Sequence, residues 1–195
     1  LNITKFANLK KLIGNKKLMS SLINNVSYVY TFNKLGIKNS VILNYDSELE
    51  DLCLWYQQLS AESLGKNGKG ITPIISACPR DHHSLLQLYI DGPKDKFFTF
   101  FSSKSKKKSK LQSTIDAQCE SVKKIFKNKK IPYRHFIFKK NDENELGSVF
   151  LFFILETLLL AQLMKVNPYD QPAVQQIKEE TKRILSKYKF SKDYF

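Results

Sequence analysis

Apolar and polar positions alternate along the chain in two rhythms, one helical and one extended. From Lys16 to Gly36, "KKLMSSLINNVSYVYTFNKLG" carries apolar residues three and four apart and ends at a glycine suited to stop a helix. "SVILNY" (Ser40 to Tyr45) is a short apolar run that predicts a buried strand. Asp46 is placed to cap the next helix, "SELEDLCLWYQQLSAESLG", where Leu49, Leu52, Trp55, Tyr56 and Leu59 form one stripe. "ITPIISA" (Ile71 to Ala77) predicts a second strand with Pro73 near its start. "HHSLLQLYIDG" then reads as a short helix headed by His82 and His83 and stopped at Gly92 and Pro93. "KFFTFFSS" (Lys96 to Ser103) and "YRHFIFKK" predict a third and a fourth strand. Between them lie a surface loop, Lys104 to Lys110, and an exposed amphipathic helix, "LQSTIDAQCESVKKIFKNKK". A strongly apolar helix is predicted from Val149 to Met164. "DQPAVQQIKEETKRILSKY" closes the chain as a helix, with Asp170 as its N-cap and Pro172 in the first turn.

Strands separated by helices of this length predict a mainly parallel sheet covered on both faces, an α/β fold. The 195 residues suffice for one such core and are few for two. No internal repeat or linker interrupts them. In open parallel sheets ligands settle beyond the carboxyl ends of the strands. His82 and His83 follow the second strand and fall at that edge. Glu62 lies at a helix end, so its arrival at the same edge depends on folding rather than on strand polarity.

The formal charge of +14 raises the question of an anionic partner. The excess is lysine spread along the chain, and arginine occurs only at Arg80, Arg134 and Arg183. Reading bases or clamping phosphates leans on arginine, so a solvated lysine surface is preferred over nucleic-acid binding. Cys53, Cys78 and Cys119 are widely spaced and odd in number, which suits reduced thiols in a cytoplasmic protein. The start, "LNITKFANLKKLIG", has no long apolar core and no methionine, and is read as the start of a piece cut from a longer chain. "VFLFFILETLLLAQL" is interrupted by Glu156 and Gln162 and is short for a membrane span, so no membrane partner is expected.

The chemical candidates each have a plain alternative. Glu62, at a helix end, matches any surface glutamate; His83 could be a packing histidine, and Lys178 sits among other charges. "GKNGKG" lacks the spacing of a phosphate loop, and its glycines can simply permit a turn. The adjacent histidines cannot converge on one metal from a helix. The residues alone therefore give a basic α/β domain with a candidate acid/base site.

Three segments change that picture. "WYQQLSAESLGKNGKGITP", "HSLLQLYIDGPKDKFFTF" and "NPYDQPAVQQIK" together resemble the carboxy-terminal half of the glucose-6-phosphate isomerase family, in order and over most of the chain. Each motif is short; "ESxGK" and "DQxxVxxxK" are specific in combination. The resemblance implies a sugar isomerase (SIS) domain, a three-layer αβα sandwich, spanning 1–195 as the second of two such domains. It also implies reversible isomerisation of glucose 6-phosphate and fructose 6-phosphate through a cis-enediol, in a homodimer and without a metal or redox cofactor. By resemblance Glu62 is the base that moves the proton between C1 and C2, a role a carboxylate can fill. His83 rather than His82 corresponds to the family's ring-opening histidine, which the partner subunit contributes. Lys178 corresponds to the lysine that assists ring opening, and Gln58 and Gln171 to positions that hold hydroxyls or phosphate.

Two departures stand out. Ile177 occupies a position where many family members have glycine. The family's glycine–glycine–arginine motif and its phosphate-gripping serine/threonine loops lie upstream, and nothing in Leu1 to Lys16 replaces them. The isolated chain is therefore expected to be inactive. A non-catalytic sugar-phosphate-binding SIS module is the alternative, and a lysine-driven nucleic-acid binder is a third reading.

Overall fold

The computed structural model describes residues 13–104, 109–140 and 142–188. The start of the chain and the middle of the lysine run between Lys104 and Lys110 lie outside them. Helix α1 (Lys16–Lys34) begins where Asn15 accepts hydrogen bonds from the backbone of Lys17 and Leu18, and ends just before Gly36 at φ +96°. Strand β1 (Asn39–Asn44) follows, then a 3₁₀ turn (Ser47–Leu49) capped by Asp46, then α2 (Glu50–Leu64). Strand β2 (Thr72–Ala77) leads to a second 3₁₀ turn (Arg80–His82) and the short helix α3 (Leu86–Asp91). Strand β3 (Lys96–Ser103), α4 (Lys110–Asn128), β4 (Tyr133–Phe138), α5 (Glu143–Met164) and α6 (Pro172–Leu185) complete the order.

The four strands pair in the order β2-β1-β3-β4, all parallel. Side chains on a strand alternate between faces, so each strand feeds two cores. Ile42, Phe97, Phe101 and Phe138 meet Leu22 and Val26 of α1, Tyr56 of α2 and Phe153 of α5 on one face. Val41, Leu43, Phe98 and Phe100 meet Tyr89 of α3 and Val122 and Phe126 of α4 on the other. Two helical layers over one sheet make the three-layer α/β sandwich that the strand–helix alternation predicts.

The first core encloses a polar centre. Arg134 of β4 makes a bidentate ion pair with Glu156 of α5, which is fully buried. Its remaining donors reach Thr99 Oγ1 at 2.9 Å, the Tyr56 hydroxyl at 3.0 Å and Asn25 Oδ1 at 3.3 Å. The Tyr56 hydroxyl donates in turn to Glu156 at 3.1 Å. Burial opposes the charge on Arg134, but Glu156 outweighs it and holds the guanidinium's pKa above its usual value. Three helices and two strands thus share one satisfied network, as a buried charge requires.

Helix α5 is longer than its apolar run predicts, because Asp142 accepts from the backbone of Glu145 and starts it ahead of the hydrophobic stretch. By length and composition it could cross a membrane. Here it packs on the sheet beside α1 and α2, with Glu156 turned inward. Two local expectations are corrected. The histidines do not head a helix: His82 ends the 3₁₀ turn, His83 caps it, and α3 starts only at Leu86. Asp170 does not cap α6, whose N-cap is Gln171, because the Asp170 carboxylate is bound to Lys66 instead.

Candidate active site

Glu62 lies in the last turn of α2, whose buried face includes Leu52, Tyr56, Ser60 and Ser63. The helix runs back from the carboxyl end of β1 to the start of β2. Gln57, at its midpoint, donates to the carbonyl of Pro73 near the start of β2, at 3.0 Å. The loop that follows is tied to the end of α1 by a bond from Asn33 to the carbonyl of Gly70. Glu62 therefore sits at the amino edge of the sheet. The expectation that folding would bring it to the carboxyl edge, beside the histidines, is corrected by the direction of the crossover helix.

Two side-chain amides hold the Glu62 carboxylate. Gln58, one turn earlier, donates to Oε1 at 3.0 Å, and Gln171 donates to Oε2 at 2.7 Å. An i, i+4 pair faces along one side of a helix, which brings Gln58 within reach of Glu62. Gln171 arrives from more than a hundred positions away, through the linker between α5 and α6. Each oxygen keeps a lone pair free beyond its amide bond. Beside the carboxylate opens a cleft of about 330 Å³, walled by Gly65, Lys66 and Asn67 on one side and by Gln171, Pro172 and Val174 on the other. That is within the size class of small-ligand sites, roughly 300–1,000 Å³.

The other sequence candidates lie elsewhere. Lys178 is exposed on α6, one turn beyond Val174 of the cleft wall, and Ile177 beside it is 67% exposed. His83 is exposed at the opposite, carboxyl edge of the sheet. Its neighbour is the organised imidazole: His82 Nε2 lies 2.7 Å from the Tyr45 hydroxyl. Burial, then the adjacent His83, lowers the His82 pKa. Within one chain the structure brings together Glu62, Gln58 and Gln171, and leaves His83 and Lys178 apart from them. The pair that sequence reasoning missed is Lys66 and Asp170, joined at 3.1 Å across the cleft wall. Among the described residues, no group of three His, Cys, Asp or Glu side chains gathers as a metal site.

Comparison with known proteins gives the chain's family. The glucose-6-phosphate isomerase of Methanocaldococcus jannaschii is 31% identical over 192 residues, covering 90% of this chain and 48% of that protein. The chain belongs to the glucose-6-phosphate isomerase family. A glucose-6-phosphate isomerase of Mycoplasmopsis synoviae is 29% identical, over 89% of this chain and 46% of its own length. The chain thus spans about half the length of the curated relatives it matches. No protein-family model matches it. Two crystal structures share the fold. A hypothetical protein of Thermus thermophilus superposes with a TM-score of 0.79 at 20% identity, over 93% of this chain and 49% of that one. A glucose-6-phosphate isomerase of Chlamydia trachomatis gives 0.67 at 17% identity, over 82% and 37%.

Proposed function

We propose that this chain is the carboxy-terminal SIS domain of a glucose-6-phosphate isomerase and supplies its proton-transfer base. The substrate is an open-chain hexose 6-phosphate, and Glu62 carries the proton between C1 and C2 through a cis-enediol. The observation that carries this reading is the Glu62 carboxylate held by Gln58 and Gln171 at the mouth of a sugar-sized cleft. The two neutral amides fix the orientation of the carboxylate and leave a lone pair on each oxygen to meet the substrate.

Ring opening needs a separate acid/base pair. Lys178, on the helix that begins at the cleft, is assigned to it from the same subunit. His83 lies at the far edge of the sheet from its own chain's Glu62, which supports its delivery to the Glu62 of a second copy in a homodimer. The substrate's phosphate grip and the cation facing the enediolate belong to the half of the family's length that this chain does not span, so the domain by itself is inactive.

The test is conversion of fructose 6-phosphate to glucose 6-phosphate by this chain alone, and by this chain joined to the half of the M. jannaschii relative with which it does not align. Activity is expected in the joined protein only, and Glu62→Gln should lower kcat by about 10²–10⁴-fold, the usual worth of a positioned base. Undiminished turnover in Glu62→Gln would place the base elsewhere. A joined protein that binds hexose phosphate and never converts it would mark the domain as a non-catalytic binding module.

A further inference from the structure

The lysine- and glycine-rich loop after Glu62 has no part in the proton transfer just described, yet its side chains are not loose. Lys66 has a side chain only 8% exposed, and its ammonium reaches Asp170 Oδ1 at 3.1 Å. The same ammonium donates to the backbone carbonyl of Asn167. Lys69 donates to the carbonyl of Met164, the last residue of α5, at 2.8 Å. The final carbonyls of a helix lack intrahelical partners and form the negative end of its dipole, so a lysine is well matched to them.

The loop's backbone makes both reaches feasible. Asn67, Gly68 and Gly70 all adopt left-handed φ, at +53°, +70° and +117°. A Cβ on Gly70 would lie 3.0 Å from Gly65 Cα and from the carbonyl oxygen of Leu64. The loop therefore folds tightly over the end of α2 and sends two ammonium groups toward the segment between α5 and α6. That segment carries Gln171, whose amide holds Glu62 Oε2 at 2.7 Å. Helix α6 buries no residue of its own, so core packing does not hold Gln171 in place.

We infer that Lys66 and Lys69 are positioning residues: they clamp the α5–α6 linker and thereby hold Gln171 on the carboxylate of Glu62. The motif "ESxGK" thus couples the base to its own alignment device four residues later. The functional meaning of the clamp rests on Glu62 being the base, but its geometry does not.

The test needs no substrate, which separates its failure from failure of the isomerase reading. Side-chain amide NMR on the ¹⁵N-labelled 195-residue chain follows Gln171, assigned by the signal lost in Gln171→Glu. In the wild type the Gln171 amide exchanges slowly with water, and Glu62→Gln moves its resonance. Lys66→Met is expected to speed that exchange about tenfold or more, as when a locally held group is freed. Lys66→Arg should restore the wild-type signal. Asp170→Asn takes the charge from the ion pair at a position 53% exposed, so it weakens the clamp and reads it even if Lys66→Met does not fold. A merely structural lysine would lower the melting temperature and leave the Gln171 signal in place. Wild-type shift and exchange of Gln171 in Lys66→Met, or in Asp170→Asn, would overturn the inference.

Discussion

Glu62 is oriented by two neutral amides on separate elements, and this sets different costs for removing each. Loss of the carboxylate removes the proposed base itself; loss of Gln171 leaves it present but free to rotate. Gln171→Ala in the joined protein is therefore expected to lower kcat/KM by about tenfold, roughly one good hydrogen bond, well short of the effect of Glu62→Gln. Steady-state kinetics on the two variants would compare them directly. A second residue-scale prediction concerns His135, whose Nε2 is 2.8 Å from Ser102 Oγ and whose Nδ1 is 3.2 Å from the Lys123 ammonium. Burial first, then Lys123, lowers its pKa to about 4, with Glu120 opposing. The unfolded chain then binds a proton between the ordinary histidine value of 6.5 and about 4 that the folded chain refuses. Stability from this group is full above pH 6.5 and is lost as the pH falls toward 4. Between pH 7 and 5, His135→Gln should flatten the loss of denaturation free energy by about 1 kcal/mol, after allowance for solvent screening of a half-buried ring. At this scale the family resemblance singled out Glu62, Gln58 and Gln171, and the fold brings the three side chains into contact. Lys66 was not legible in the sequence, since its partner Asp170 is distant in the chain and itself looked like a helix cap.

At the level of elements, the strands were legible because each is a short apolar run flanked by breakers, and β3 spans Lys96–Ser103 as its pattern predicts. What escaped reading was set by side chains that change role on folding. Asp142 starts α5 ahead of its apolar residues, and the cluster after β2 spends its histidines on a turn instead of a helix. Arg134 was read only as one of three arginines and Glu156 as an interruption in an apolar run, yet they lock β4 to α5. Removing one member strands the other. Glu156→Leu is expected to cost about 3–5 kcal/mol, and replacing both residues by apolar ones of similar volume should recover most of that loss. Urea denaturation of the single and double variants would measure the coupling. If Glu156→Leu alone were neutral, the network would not hold these elements together.

Over the whole molecule, the two faces of the sheet are closed and one end is not. Helix α6 carries Val174, Ile177 and Ile184 along one side, exposed at 39%, 67% and 44%. With no buried residue, its amides should exchange in seconds to minutes, while those of β1 and β3 exchange on the timescale of global unfolding. Hydrogen-exchange mass spectrometry on the chain alone would show this contrast, and strong protection of α6 would refute it. The fold was legible from the rhythm of strand and helix. The site's position was not, because strand polarity points to the carboxyl edge, whereas α2 delivers Glu62 to the amino edge. That separation from His83 supports the proposal of a site shared between two subunits. The most direct measurement is solvent-deuterium incorporation at C1 of fructose 6-phosphate by the joined protein, followed by NMR. Proton transfer by Glu62 predicts labelling at one C1 position, lost with Glu62→Gln while hexose-phosphate binding persists. Labelling at the wild-type rate in Glu62→Gln would contradict it.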